Sequence, residues 1–531
     1  MPRRFSPFAL ALLYLMVCPV GAGLMAGENP PIADARAWLR INDGRWLDQL
    51  VTRFSAAAGS DTKPLQAALA RQLFLCRSLD GIDLTRPAWL AWRGGNAPLV
   101  AVIPVTNRSE FVASFGVAPD GDPPLVRVSD RDGTAVFTQS RASGMWEYRL
   151  LISNGVAYLA RSVDECRRLA AIPIPFPPSG APPVAFTASG EFLASQGLPV
   201  GIPFAPPGSG AALFGGLLPD FSSPYALVMA QVDTVTWGLQ AAGSDGLRLT
   251  ASATAKPGSA LLDWLALQRN QPNRLSPALR GPDTALTFFL QASWQGVMEA
   301  YMRSRLPEQK LHAGKRWSEA AAESWNTLAA LSDRTTGEAF AWSLWPEAKG
   351  PSIEIVNVHE NARASEVVTE LERQAAVVSI GETTVETSET LKVSHRKGHL
   401  DVERPRSGRM QIPFESRIFT CDRFAVLVQG INVEAAKLEK PDELAKRLLA
   451  ISPPEDEPCL AAAWLDLSRF VRAFIPPQGE IESLTPVEIK ARITVLNGGL
   501  ALDCSMPVIA LGQLFGQISR IDSSRPVPRR R

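Results

Sequence analysis

From Ala35 to Phe54 the chain alternates and then turns helical. Residues Ala35 to Ile41 (ARAWLRI) alternate as a half-buried strand does, and Leu47, Leu50, Val51 and Phe54 follow at the 0, 3, 4, 7 spacing of an apolar helix stripe. Asn42 or Asp43 stands where a helix cap is expected. The same phrase returns as a strand Ala285 to Leu290 before Trp294, Val297, Met298 and Tyr301, and as Ala461 to Leu465 before Leu467, Phe470, Val471 and Phe474. A shorter echo runs from Pro183 to Gly197.

Strand-to-helix phrases are common, so a repeat must rest on rarer residues at a constant offset. Trp89, Trp92, Pro98, Val100, Val102 and Val105 fall without a gap on Trp342, Trp345, Pro351, Ile353, Ile355 and Val358, an offset of 253 (342 − 89). Gly246 and Gly499, Leu249 and Leu502, and Leu261 and Leu514 keep that offset. Between these anchors Tyr148 to Ser162 matches Ser416 to Gly430 at an offset of 268 (416 − 148), with Ala157 on Ala425 and Leu159 on Leu427.

The chain therefore reads as two tandem copies of one unit, 27–275 and 276–519, behind a leader 1–26 and before a basic tail 520–531. Asn154-Gly155 and Asn497-Gly498 are two-residue hairpin turns by composition, and tight turns join only antiparallel strands. The expected fold class is α+β: in each copy a mainly antiparallel sheet with helices packed on one face. The Pro- and Gly-rich stretches Ile172 to Pro183 and Leu198 to Gly210 read as extended loops.

Composition narrows the function classes. Of 531 residues 46% are hydrophobic, and 54 Lys and Arg stand against 53 Asp and Glu, which favours a globular body and gives no general attraction to nucleic acid. Arg3 and Arg4, the apolar run Phe8 to Val17 and the small residues of VGAGLMAG form a secretory leader, with cleavage after Ala22 or Ala26. Acylation at Cys18 is the alternative, disfavoured by Val17 where a small residue is expected. The expected location is the periplasm or the outside of the cell, with no transmembrane segment beyond the leader. The remaining Cys76, Cys166, Cys421, Cys459 and Cys504 are too few and too scattered for a disulfide framework.

Catalytic motifs are not found. Gly208-Ser209-Gly210 lacks the strand and helix of a nucleophile elbow, and VHENAR places Arg363 where a zinc-binding H-E-x-x-H needs its second histidine. The four histidines are His312, His359, His395 and His399. In VSHRKGHLDVE a turn at Arg396-Lys397-Gly398 would set His395 opposite His399 across a hairpin, with Asp401 on the face of His399, the minimum of a zinc-type site. A solvated strand face is the plainer reading, so no catalytic residue, cofactor or metal is expected, and these three are the only metal candidates.

The phrase PLVAVIPVTNRSEF, Pro98 to Phe111, resembles strand phrases of exported proteins of environmental bacteria that carry no assigned activity. The resemblance implies export and no chemistry. The expected function is that of a non-enzymatic, envelope-associated structural or interaction module; the sequence does not name its partner, an envelope protein or an apolar ligand being the candidates. A binder of an apolar or lipid-like ligand between the two copies is the alternative, and a metal-dependent hydrolase using the histidine hairpin a second.

Overall fold

The computed structural model describes residues 34–523 except 94–98, 117–123, 142–143, 173–179, 197–227, 292–334, 347–351, 379, 388–390, 405–407, 435–436, 452–456 and 475–483. The leader, Cys18, His312, the second-copy helix at Trp294, the Gly208-Ser209-Gly210 loop and residues 524–531 of the basic tail lie outside the described residues, while 520–523 belong to the helix that ends at Ser523.

Strand β1 (Ala37–Ile41) enters helix α1 (Gly44–Ala58) through Asp43, whose side chain accepts the Trp46 N–H at 3.0 Å. Asn42 instead donates its amide to the Pro182 carbonyl at 2.8 Å. After α2 (Lys63–Phe74) come β2 (Ala88–Trp92), β3 (Leu99–Pro104) and α3 (Arg108–Ser114). A meander follows, β4 (Val126–Arg131), β5 (Thr134–Arg141), β6 (Gly144–Ser153) and β7 (Val156–Ala160), then α4 (Val163–Ala171), β8 (Val184–Ser189), α5 (Gly190–Gln196), β9 (Val232–Ala242) and β10 (Gly246–Ala255). Asn154 and Gly155 both take positive φ in the two-residue turn between β6 and β7, as an Asn-Gly hairpin requires.

The chain continues with α6 (Ala260–Leu267), α7 (Leu275–Ala278), β11 (Thr284–Leu290), β12 (Thr335–Trp345), β13 (Ser352–Asn361) and α8 (Ala364–Val378). A second meander, β14 (Ile380–Thr387), β15 (Lys392–Arg404), β16 (Gly408–Cys421) and β17 (Phe424–Ile431), leads to α9 (Pro441–Leu449), β18 (Ala461–Asp466), α10 (Leu467–Phe474), β19 (Glu488–Leu496), β20 (Gly499–Pro507) and α11 (Val508–Ser523).

The described residues form two compact units. One holds those up to Leu261 together with those from Gly499 onward, and the other holds Leu262 to Gly498. These bounds differ from the expected stretches 27–275 and 276–519: residues 262–275 are grouped with the second unit, and β20 and α11 with the first. In that unit the antiparallel order is β4-β5-β6-β7-β3-β2-β1-β8-β9-β10-β20. In the second it is β14-β15-β16-β17-β13-β12-β11-β18-β19. Strand for strand the two orders follow one scheme.

Helices cover both faces of each sheet, not the single face expected from the sequence. In the second unit Ala364, Val367 and Leu371 of α8 pack on Ile418, Ala425 and Leu427, whereas α7 and α9 pack on Phe419, Val426 and Val428. Neighbouring strand residues point to opposite faces, so these are two separate cores. In the first unit α4 packs through Cys166 and Leu169 on Val102, Val156 and Tyr158, while on the other side Phe111 of α3 meets Phe115 beyond it and Phe115 meets Phe137. The reason is the parity of the strands: β7 and β17 are apolar at every position but one or two, a pattern that suits a strand covered twice.

Candidate functional site

Among the described residues, a group of buried polar side chains lies on the α9 face of the second unit's sheet. Glu354 of β13 and Glu415 of β16 flank Gly430 of β17 in one cross-strand row, and Arg417 and His395 face each other in the row beside it. All of Glu354, Glu415 and His395 are buried. His395 stands between two carboxylates, with Nε2 2.8 Å from Glu415 and Nδ1 3.2 Å from Glu386. Arg417 donates to Glu415 at 3.0 Å and, at 3.3 Å, to the backbone carbonyl of Glu439, just before α9.

Glu354 closes the group by accepting the backbone N–H of Glu439. Arg447 of α9 holds the Glu439 side chain at 2.9 Å. Leu438 lies over Gly430, where a Cβ would meet it at 2.7 Å, so glycine is what lets the segment before α9 settle on the sheet. Burial pushes the Glu354 carboxyl up from 4.5 to about 7, helped by the nearby Glu439 charge; the Glu439 N–H, the Ser343 hydroxyl and Arg417 pull the other way. The arrangement is a fixed set of opposite charges that ties α9 to the sheet.

The structure corrects the histidine hairpin. β15 runs unbroken from Lys392 to Arg404, pairing with β14 on one side and β16 on the other, so His395, His399 and Asp401 belong to a single strand and no turn falls at Arg396-Lys397-Gly398. His395 and His399 are four positions apart, roughly 13 Å along a strand, too far to share an ion. His399 meets Gln411 at 3.0 Å instead. Gly398 stays extended because it lies opposite Gly381, where a Cβ would meet the Lys397 carbonyl at 2.0 Å; the glycine pair serves close strand pairing, not a turn. Among the described residues no group of three or more His, Cys, Asp or Glu is placed to hold a metal ion.

The five described cysteines are free thiols. Burial pushes the thiols up, Cys76 to about 12 and Cys166 and Cys504 to about 11, away from thiolate chemistry. Trp89 lies in the α4 core, whereas Trp92 points to the other face beside Phe186 and Phe192, as their spacing requires.

The residues that sequence reasoning missed are Glu415 and Arg417, with their counterparts Glu147 and Arg149. Both pairs obey the offset of 268 (415 − 147): Arg149 and Arg417 fall inside the matched stretch, and Glu147 and Glu415 stand one residue before it. In the first unit Arg149 and Glu147 are 2.6 Å apart, on the face that α4 covers. Carrying the frame one residue toward the N-terminus adds the two glutamates to arginines that it already aligns.

No family model matches the chain, and no curated protein matches it. A solved structure titled "Structure of crystal form I of TP0453" aligns at 11% identity and a TM-score of 0.19, covering 47% of this chain and 98% of that one. Likeness at that level carries no argument. Among the described residues no helix is long and apolar enough to cross a membrane.

Proposed function

We propose that this chain is a duplicated α+β protein, exported to the cell envelope, that acts without catalysis as a structural or interaction module. The observation that carries the reading is the Glu-x-Arg pair at matched positions, Glu147-x-Arg149 and Glu415-x-Arg417, each joined side chain to side chain on a helix-covered face. Polar residues held in both copies are used to build the fold.

The recurring strand order supports duplication, and so does the register of β10 on β20. At the offset of 253, Thr250 and Asp503 are one position, and they face each other. The pair Gly246 and Pro507 becomes Thr254 and Gly499 under the same shift, and that pair is also formed. Such self-complementary pairing is what two copies of one strand give about a two-fold axis. Export is supported by Arg3, Arg4 and the apolar run Phe8 to Val17.

Native mass spectrometry of the protein purified from its own envelope tests this reading. The expected species has lost its first 22 or 26 residues and carries no stoichiometric metal or lipid. A mass that retains the leader, or a bound lipid or ion at one per chain, would overturn it.

A further inference from the structure

β20 and α11 are built into the unit that holds β1 and α1. β20 lies on β10 from Gly246 opposite Pro507 to Thr254 opposite Gly499, and Arg248 grips Asp503 across the ladder with its Nε 2.8 Å from Oδ1. α11 lies on α1, the Phe515 and Phe54 rings 5.5 Å apart. Gly512 and Gly516 make that approach: a Cβ on Gly512 would meet the Phe54 carbonyl at 2.7 Å, and one on Gly516 the Ala58 carbonyl at 2.4 Å. Where strand passes to helix, the Val508 N–H donates to the Asp245 carbonyl at 2.9 Å. Leu511, Leu514 and Phe515 are buried.

We infer that the segment Gly499–Ser523 is the closing piece of the first unit, which reaches its final fold only once that segment has been made. Until then β10 has an open row of backbone donors and acceptors, and the part of α1 around Phe54 and Ala58 lacks its cover. An open strand edge beside exposed apolar surface is the usual starting point for mispairing. The delay has a physical basis: closure joins β10 to residues 245 to 261 positions further on and Phe54 to Phe515, 461 positions on, and such non-local contacts form late. Everything from Leu262 to Gly498 is made before the piece that completes what precedes it.

Hydrogen exchange read by mass spectrometry on the full chain tests this. The expected result is that peptides from β20 and α11 open in one step with those from α1 and β10. Gly516→Leu, which drives a side chain into the Ala58 carbonyl, should speed exchange in α1 and β10 about tenfold or more, with β16 and β17 unchanged. Asp503→Asn leaves the helix contact intact and should move the same peptides by a smaller factor, so the test survives if the first variant does not fold. Exchange changes confined to β20 and α11, with α1 and β10 as protected as in the wild type, would overturn the inference. So would equal changes in β16 and β17.

Discussion

Glu354 is a carboxyl group that burial has moved into the neutral range, and the consequence is a pH dependence of stability with a definite sign. Its carboxyl rises from 4.5 to about 7 on folding, so the native state favours the protonated form. That contribution is fully present below about pH 4.5 and is lost as the pH rises through about 7, a difference of roughly 3 kcal/mol. Glu354→Gln keeps an acceptor for the Glu439 N–H and removes the titration. Urea unfolding at pH 5 and at pH 8 should therefore show the wild type losing more stability between the two than the variant, and equal losses would contradict the assignment. Little of this was legible in the sequence, where Glu354 is one polar residue in an alternating strand. Its burial depends on Leu438 crossing Gly430, a contact between residues that share no periodic pattern.

Elements were more legible than sites, because capping and periodicity are local. Strand-to-helix joints carry side-chain caps: Asp43 before α1, Asn107 before α3, Ser162 before α4, Ser189 before α5 and Asp466 before α10. Asp466 is the most heavily used. It is buried, accepts the Ser468 hydroxyl at 2.5 Å and the Arg469 N–H at 3.2 Å, and pairs with the Arg469 guanidinium at 3.0 Å. Asp466→Ala should cost about 2 kcal/mol or more, since it removes the cap and one side of an ion pair. Ser189→Ala, which loses only the Phe192 N–H bond, should cost about 1 kcal/mol. Thermal unfolding of the two variants checks the order, and a Ser189 effect as large as that of Asp466 would refute it. The histidine hairpin went astray for a reason of the same scale. Gly398 among polar residues has the composition of a turn, and only the glycine opposite it, Gly381, seventeen positions earlier, shows that it serves strand pairing.

At the scale of the whole molecule a constant offset was readable from two Trp pairs and a Pro pair, while the return of β20 and α11 to the first unit was not, since pattern gives the order of elements and not their partners. The matched Glu-x-Arg pairs allow the two units to be compared by equal lesions. Arg149 has Nη2 on Glu147, which is half exposed, and leaves Nη1 without a hydrogen-bond partner. Arg417 holds buried Glu415 and the carbonyl before α9. Removing the partner of a surface-facing carboxylate costs about 0–1 kcal/mol, whereas stripping a buried carboxylate costs about 3–5 kcal/mol. Arg417→Ala should therefore destabilise much more than Arg149→Ala, and Arg417→Lys should recover only part of the loss because a single ammonium cannot span Glu415 and the Glu439 carbonyl with the same fork. With the lesions in separate compact units and no shared partner, the double variant should lose the sum of the two within about 0.5 kcal/mol. Urea unfolding of the two single variants, the double and Arg417→Lys measures all of this. Equal costs at the two positions would mean that the pair does the same work in both copies, and that the buried network around Glu354 adds nothing to it.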